Sequence, residues 1–389
     1  MATTGGPNIV TDGLVFGYDT GFPSANNDTP LRFYNGEPTV NKITDDITAS
    51  GIDGSGQSSI GTRVVLGTQH IRITDVASNS RQSTLVQGLT GGANYTVSIQ
   101  YKKITGAPTF RFQLQNYNGS SYVSTIAFPT TVQIGLVDVS GWQTATYSFT
   151  LASGANGMRV WYQDGNDYTT YTHIYEIKNP QLEQNSHRTP YTAAADVRSV
   201  SGSLMDLAGI SDIDVSNISF DSTAHPTFDG TDDKLTISNN NQVAFGSGDF
   251  TLEVVTKPTS FSTYTHLVSL PLQSTFSLKA TKHDGNLYFY SPSFTTFGST
   301  DGWNLTLNEW NSVVLVRKSG VAYCYLNGTL IGTKSGFNNI LTAQDMNIGW
   351  GWGSEYTPQS IPIVRVYNVG LTDDEVEQNF NAYKHRFGI

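Results

Sequence analysis

Asn311-Ser312-Val313-Val314-Leu315-Val316-Arg317 and, shortly after, Tyr323-Cys324-Tyr325-Leu326-Asn327-Gly328-Thr329-Leu330-Ile331-Gly332 decide the fold. Both runs are dense in β-branched and aromatic residues, which suit a pleated, half-buried surface. Between them sits Asn327-Gly328, the dipeptide favoured by two-residue hairpins, whose central positions need positive φ. Met346-Asn347-Ile348-Gly349-Trp350 and Ile361-Pro362-Ile363-Val364-Arg365-Val366-Tyr367-Asn368 read as further strands. The chain closes on a helix. Thr372 with Glu375 forms a capping box, Asp373 and Asp374 suit the positive helix end, and Val376, Phe380 and Tyr383 make one apolar face. Strand, hairpin, strand, strand and terminal helix in this order are what a two-sheet sandwich requires.

Upstream, from about Leu31 to Tyr191, short alternating strands follow one another without an amphipathic helix. They are expected at Arg63–Leu66, His70–Thr74, Asn94–Lys102, Thr109–Gln115, Thr144–Leu151, Met158–Tyr162 and His173–Lys178, with turns at Asn118-Gly119 and Asp164-Gly165. Regular short strands of this kind indicate a second β-sandwich. Near the start, Gly13–Asp19 reads as a lone strand bounded by glycines, apolar on both faces through Leu14, Val15 and Phe16.

The C-terminal strands, together with Leu204-Met205-Asp206-Leu207, Phe228-Asp229-Gly230-Thr231-Asp232-Asp233 and Ser247-Gly248-Asp249-Phe250-Thr251-Leu252-Glu253-Val254, resemble laminin-G-like, concanavalin-type lectin domains of phage and bacterial surface proteins. In that family a strand like Gly13–Asp19 comes just before the Asp-Leu segment. The middle region resembles jelly-roll carbohydrate-binding modules. The matching residues are Leu89–Ser98, Gly141-Trp142-Gln143 leading into Tyr147–Thr150, and Asn179–Gln184 through Arg188-Thr189-Pro190-Tyr191. This last segment looks like the exit strand of modules in phage tail and fibre proteins. The resemblances imply an all-β chain of two β-sandwiches with a short C-terminal helix. A jelly-roll module, residues 30–191, is inserted into a concanavalin-like, laminin-G-type sandwich made of 1–29 plus 192–389. A floppy N-terminal arm is the alternative.

Composition narrows the function. The 389 residues carry only 14% charged side chains and a net charge of -10 with no basic run, which disfavours nucleic-acid binding. No apolar run reaches the roughly 20 residues that span a bilayer, so no membrane insertion is expected. The start lacks a cationic flank ahead of an apolar core, so no signal peptide is expected either. The one cysteine, Cys324, rules out an internal disulfide and reads as a buried thiol.

No catalytic constellation is legible. Glu253 stands alone on its strand, and retaining glucanases need two strand carboxylates about 5 Å apart. The histidines make no metal-ligand spacing. Two acidic turns, Asp229/Asp232/Asp233 and Asp164/Asn166/Asp167, offer oxygens of the kind Ca²⁺ takes; turn chemistry alone also explains them. Aromatic residues are the stronger clue, because sugar C–H faces pack on indole and phenol rings. Trp350, Trp352 and Tyr356 in a glycine-rich loop, Trp303, and Tyr168 with Tyr171 near the Asp164 turn are the candidate ligand contacts. Trp142, Trp161 and Trp310 read as core or interface residues; for Trp350 and Trp352 both readings stand.

The residues and resemblances together point to a non-enzymatic phage virion protein, on tail or capsid, that binds glycans or the host cell surface and contacts other virion proteins. A homotrimer is expected from fibre analogy alone. A purely structural virion protein and a secreted bacterial glycan-binding or glycan-degrading protein are the alternatives.

Overall fold

The computed structural model describes residues 9–20, 38–44, 47, 62–76, 81–106, 110–126, 141–164, 172–189, 191–193, 197–199, 203–240, 243–261, 264–270, 276–281, 287–291, 294–295, 304–337, 341–351 and 355–389. They form two compact units. One holds residues 9–20 and the chain from Ser199 to Ile389; the other runs from Thr39 to Arg198. Among the described residues the strands pair antiparallel, and one α-helix lies at Asp373–Phe387. The all-β sandwich architecture with a short C-terminal helix is thus as the sequence predicts.

The first unit contains a sheet of eight strands. Its path runs Ser219–Phe220, Pro226–Asp229, Pro358–Tyr367, Phe250–Pro258, Asn311–Lys318, Val321–Leu326 and Thr329–Ser335, and Leu14–Asp19 also pairs with Pro358–Tyr367. Leu14–Asp19 takes the stretch from Ile363 to Tyr367, while Pro226–Asp229 takes Pro358 to Ser360. The hairpin at Asn327-Gly328 closes with φ of 49° and 76°, the doubly positive turn its sequence calls for. A second sheet has six strands in the order Leu235–Asn240, Gln344–Ile348, Tyr264–Leu270, Phe276–Thr281, Leu287–Ser291 and Phe294–Thr295.

Alternation along the strands builds the layers. Phe16, Val254, Val313, Leu315 and Val364 of the larger sheet share a core with Leu235, Ile237, Val268, Met346 and Ile348 of the smaller. The intervening Val314 and Val316 point the other way, into a cluster with Tyr367, Leu371 and Val376. Val255 and Ile363 likewise meet Tyr383 and Phe387 of the helix. The large sheet is therefore covered on both faces, which is why its strands read as continuous apolar runs. Each such valine or leucine contributes roughly 1.5–3 kcal/mol by leaving water.

The lone N-terminal strand is also held by the Asp206-Leu207 segment. Gly17 N–H donates to Asp206 Oδ1 (2.9 Å), and Leu207 N–H donates to the Gly17 carbonyl (2.7 Å). Asp206 accepts three further backbone N–H groups, from Ala208, Ile210 and Ser211, so one carboxylate shapes the loop that meets the strand.

Thr372 caps the helix with Glu375 as the reciprocal partner. Its buried face extends the sequence reading: Val376 and Tyr383 are buried and Phe380 packs beside them, and Asn379 and Phe387 are buried as well. Asn379 tolerates burial because its carboxamide donates to Glu253 and Tyr367 and accepts from Val10 N–H. Phe380 lies over Gly328, where an added Cβ would come within 2.5 Å of the ring.

The second unit has a sheet of five strands, Thr62–Gly67, His70–Val76, Thr172–Glu183, Asn94–Thr105 and Gln143–Thr150, and one of four, Arg81–Gln87, Gly157–Asp164, Phe110–Asn118 and Ser121–Ile126. Arg81–Gln87 and Ser121–Ile126 went unread in the sequence because their polar content hides the alternation. Ile71, Ile73, Val97, Ile99, Tyr175 and Ile177 pack against Val86, Leu114, Met158 and Val160 in a single core. The ends of the unit pair with each other, Val40 with Val197 and Thr39 with Arg198. Beside them Glu183 is fully buried, accepting from Thr39, Gln181 and both the N–H and the hydroxyl of Thr189. The Asn179–Tyr191 segment is therefore the polar latch that ties exit strand to entry strand.

Candidate functional site

The glycine-rich loop after Gln344–Ile348 stands at one end of the first unit. Trp350 and Tyr356 form a β-bridge with ring centroids 6.2 Å apart. Trp350 is half-buried, and Lys234 Nζ lies 4.5 Å from its ring centre. Ser269 Oγ donates to the Trp350 carbonyl. Two glycines let this loop lie flat. A Cβ on Gly349 would meet Phe228 at 2.5 Å, and one on Gly351 would meet the His266 ring at 2.1 Å. His266 is itself buried and within 2.6 Å of Glu355 Oε2.

The acidic turn is next to this loop, because Lys234 follows Asp233 directly and Gly230 packs on Pro358. Carboxylate oxygens of Asp229, Asp232 and Asp233 lie within 4.8 Å of one another. Asp229 Oδ1 accepts from Thr231 and Asp232 N–H, and Asp233 Oδ2 accepts from Asp229 N–H. The backbone bond from Thr231 above all holds the Asp229 carboxyl below its usual range. Burial, then the charges of Asp229 and Asp232, push Asp233 up. The donors are of the type Ca²⁺ takes, and the turn also closes on its own hydrogen bonds.

Trp350 and Tyr356 are thus brought together with Asp229, Asp232 and Asp233 on one rim. Trp352, Trp303, Tyr168, Tyr171, Asp167 and the Asp164 side chain lie outside the described residues. Trp161 is 5% exposed, with Nε1 donating to Gln115 and Arg159 packed between it and Tyr117. Trp310 packs on Phe387 under the helix. Trp142, read as core or interface, is half-buried and absent from the core cluster of its unit.

A groove that the sequence reading missed crosses the outer face of the eight-stranded sheet. Its cavity is about 500 Å³ and is lined by Val316, Lys318, Tyr323, Tyr325, Leu371 and Asp373, among others. Tyr325 Oη donates to Asp373 Oδ1. Tyr323 and Tyr325 alternate on one strand and so share a face; that spacing was the available signal.

Glu253, the lone carboxylate of its strand, has partners from other elements. It is fully buried and accepts from Arg365 Nη1 (3.1 Å) and Asn379 Nδ2 (3.0 Å). Its partner Arg365 also donates to Asp19 Oδ2 at 2.7 Å. A carboxylate sealed in this way serves the fold.

Residues 229–377 match the family model described as the Concanavalin A-like lectin/glucanases superfamily. Among solved structures the chain is similar to domain 4 of AbnA, a GH43 extracellular arabinanase from Geobacillus stearothermophilus, in complex with arabinotriose. That match has 16% identity and a TM-score of 0.40, and covers 48% of this chain and 93% of that one. It is also similar to the binding domain of Paraclostridial Mosquitocidal Protein 1, at 16% identity and TM-score 0.40, covering 46% of this chain and 49% of the other. A Trypanosoma rangeli sialidase in complex with 2,3-difluorosialic acid matches at 15% identity and TM-score 0.39, covering 47% of this chain and 31% of the sialidase. No curated protein sequence matches the chain.

Proposed function

We propose that the protein is a non-enzymatic, glycan-binding surface protein of a phage virion, displayed on tail or capsid. The observation that carries the glycan part is the rim of the first unit. There a half-buried indole and a phenol stand beside an exposed carboxylate turn and an ammonium, the groups that meet the C–H faces and hydroxyls of a sugar. The virion part rests on the resemblance of both modules to phage fibre modules. The non-enzymatic part rests on Glu253 being sealed by Arg365 and Asn379.

A glycan array with the purified chain tests the reading, with Trp350→Ala as the control variant. Losing one central aromatic anchor costs about 2 kcal/mol, roughly thirtyfold in affinity. Binding that survives Trp350→Ala unchanged removes the rim from the argument. Steady release of reducing ends from any polysaccharide, abolished by Asp233→Asn, overturns the non-enzymatic part. Mass spectrometry of purified particles that lacks the chain overturns the virion part.

One observation favours a purely structural role. Thr62–Gly67 is an edge strand of its sheet, and its Val64, Val65 and Leu66 are 45%, 53% and 40% exposed. Such an edge suits protein–protein pairing. A silent glycan array together with concentration-dependent self-association lost in Val65→Lys decides for that role.

A further inference from the structure

The outer face of the five-stranded sheet in the second unit carries a compact set of charged side chains. Glu176 sits between Arg72 and Lys102 on the neighbouring strands, and Lys178 sits between His70 and Gln100. Because side chains alternate, these six share the face opposite the core residues Ile71, Tyr175, Ile177, Ile99 and Tyr101. Trp142 adds an indole to them. Lys178 Nζ lies 4.1 Å from its ring centre, Lys102 Nζ 6.0 Å, and His70 meets it edge-on at 5.2 Å.

The charges do not cancel. Glu176 is buried and its carboxylate is taken up by Arg72, with Nε at 3.0 Å from Oε1, and by His70, with Nε2 at 3.3 Å from Oε2. Burial would raise its pKa, but the hydrogen bonds and charges of Arg72 and His70 lower it, so it stays ionised and engaged. Among the described residues neither Lys178 nor Lys102 has a carboxylate at ion-pair distance. Lys178 is pushed down first by burial; Glu176 offsets this in part, and repulsion from Lys102 adds to it. Two ammonium groups thus converge on one ring, partly dehydrated, in a chain whose net charge is -10. Holding like charges together costs energy that a bound anion returns. Beside them Asn179 Nδ2 donates to Gln100 Oε1 at 3.0 Å, giving the patch amide groups of the kind that read hydroxyls.

We propose that this face binds a sugar bearing a carboxylate or sulfate group, the anion seated between Lys178 and Lys102 and the sugar ring packed against the free part of Trp142. The site is separate from the Trp350 rim, and the proposal rests on the glycan-binding reading given above. Bulk attraction cannot account for such binding, since the protein as a whole repels polyanions. Salt weakens it, because the ammonium groups are only partly buried.

The test uses the full chain and three probes: polygalacturonate for carboxylates, dextran sulfate for sulfates, and dextran as the neutral control. Binding is measured by titration calorimetry at low and at raised salt. The wild type is expected to bind one of the two polyanions and to ignore dextran; which polyanion it takes identifies the anionic group. Lys102→Gln with Lys178→Gln keeps polar side chains and removes both charges, and is expected to weaken that binding about tenfold or more. Lys102→Arg with Lys178→Arg retains most of it. Thermal melting confirms that each variant is folded. The inference is overturned if the double glutamine variant binds like the wild type, or if the wild type binds neither polyanion. A chain that binds neutral glycans on the array but neither polyanion loses this inference and keeps the lectin reading, whereas one that binds no glycan loses both.

Discussion

Arg365 Nη1 lies 3.1 Å from Glu253 Oε2, and both side chains are wholly buried. Burial alone would lower the pKa of Arg365, but the charges of Glu253 and Asp19 raise it, so the guanidinium stays charged in the interior. Asp19 also pairs with Arg386 of the helix at 2.7 Å. The network therefore joins the N-terminal strand, two central strands and the terminal helix. Removing one partner of a buried pair leaves an uncompensated charge, which costs about 3–5 kcal/mol. Glu253→Ala is expected to destabilise the first unit by that amount in denaturant unfolding. Combining Glu253→Leu with Arg365→Met is expected to recover much of the loss. A Glu253→Ala variant as stable as the wild type refutes the assignment.

Gly351→Ala is expected to disturb the loop that presents Trp350. The new Cβ would lie 2.1–2.3 Å from three atoms of the His266 ring, and that ring is held by Glu355. Neither group has room to retreat, so the loop must shift. The expected result is faster protease cleavage between 349 and 357 and a lower melting temperature. His266→Ala removes the obstacle, so the double variant should lose less than the two single losses combined.

Cys324 is buried, and burial pushes its thiol up to about 12. Thiolate is the reactive form, so the native protein is expected to resist thiol reagents near neutral pH and to react fully once unfolded. The labelling rate then reports opening of the first unit. Fast labelling under native conditions contradicts the packing around the Leu315–Cys324 pair.

Acid sensitivity is expected at Asp221. Burial would raise its carboxyl, but hydrogen bonds from His225 and Thr223 outweigh this and hold it well below the usual range. A carboxyl depressed in the folded state contributes stability above its unfolded pKa of about 3.9, and that stability is lost as pH falls from there toward the folded value. Melting temperatures measured from about pH 5 down to pH 2 should fall less steeply in Asp221→Asn than in the wild type. Parallel slopes in the two proteins sink the prediction.

Legibility in the sequence followed the kind of interaction. The Asn327-Gly328 hairpin and the Thr372–Glu375 cap were readable because both are local: the turn needs positive φ, and the cap needs two side chains three residues apart. The strand at Asn311–Lys318 was readable because it is apolar on both faces. The burial of Asn379 was not legible because its partners Glu253 and Val10 are 126 and 369 residues away. For Trp142 the sequence left core and interface unresolved, because its lysine neighbours Lys102 and Lys178 come from other strands.

The sequence by itself determined the strand-rich class, the hairpin register, the helix cap and the absence of a basic nucleic-acid footprint, since periodicity, turn chemistry and charge act over a few residues or over the chain as a whole. Only the tertiary structure decided which polar groups are structural and which face solvent. Glu253 and Glu183 are sealed by partners remote in sequence, whereas Trp350, Tyr356 and the Asp229–Asp233 turn meet at one rim. Antiparallel sheets pair residues without regard to their separation along the chain. The company a side chain keeps, and hence whether its charge or ring is free for a ligand, is set by register and packing that no local pattern encodes.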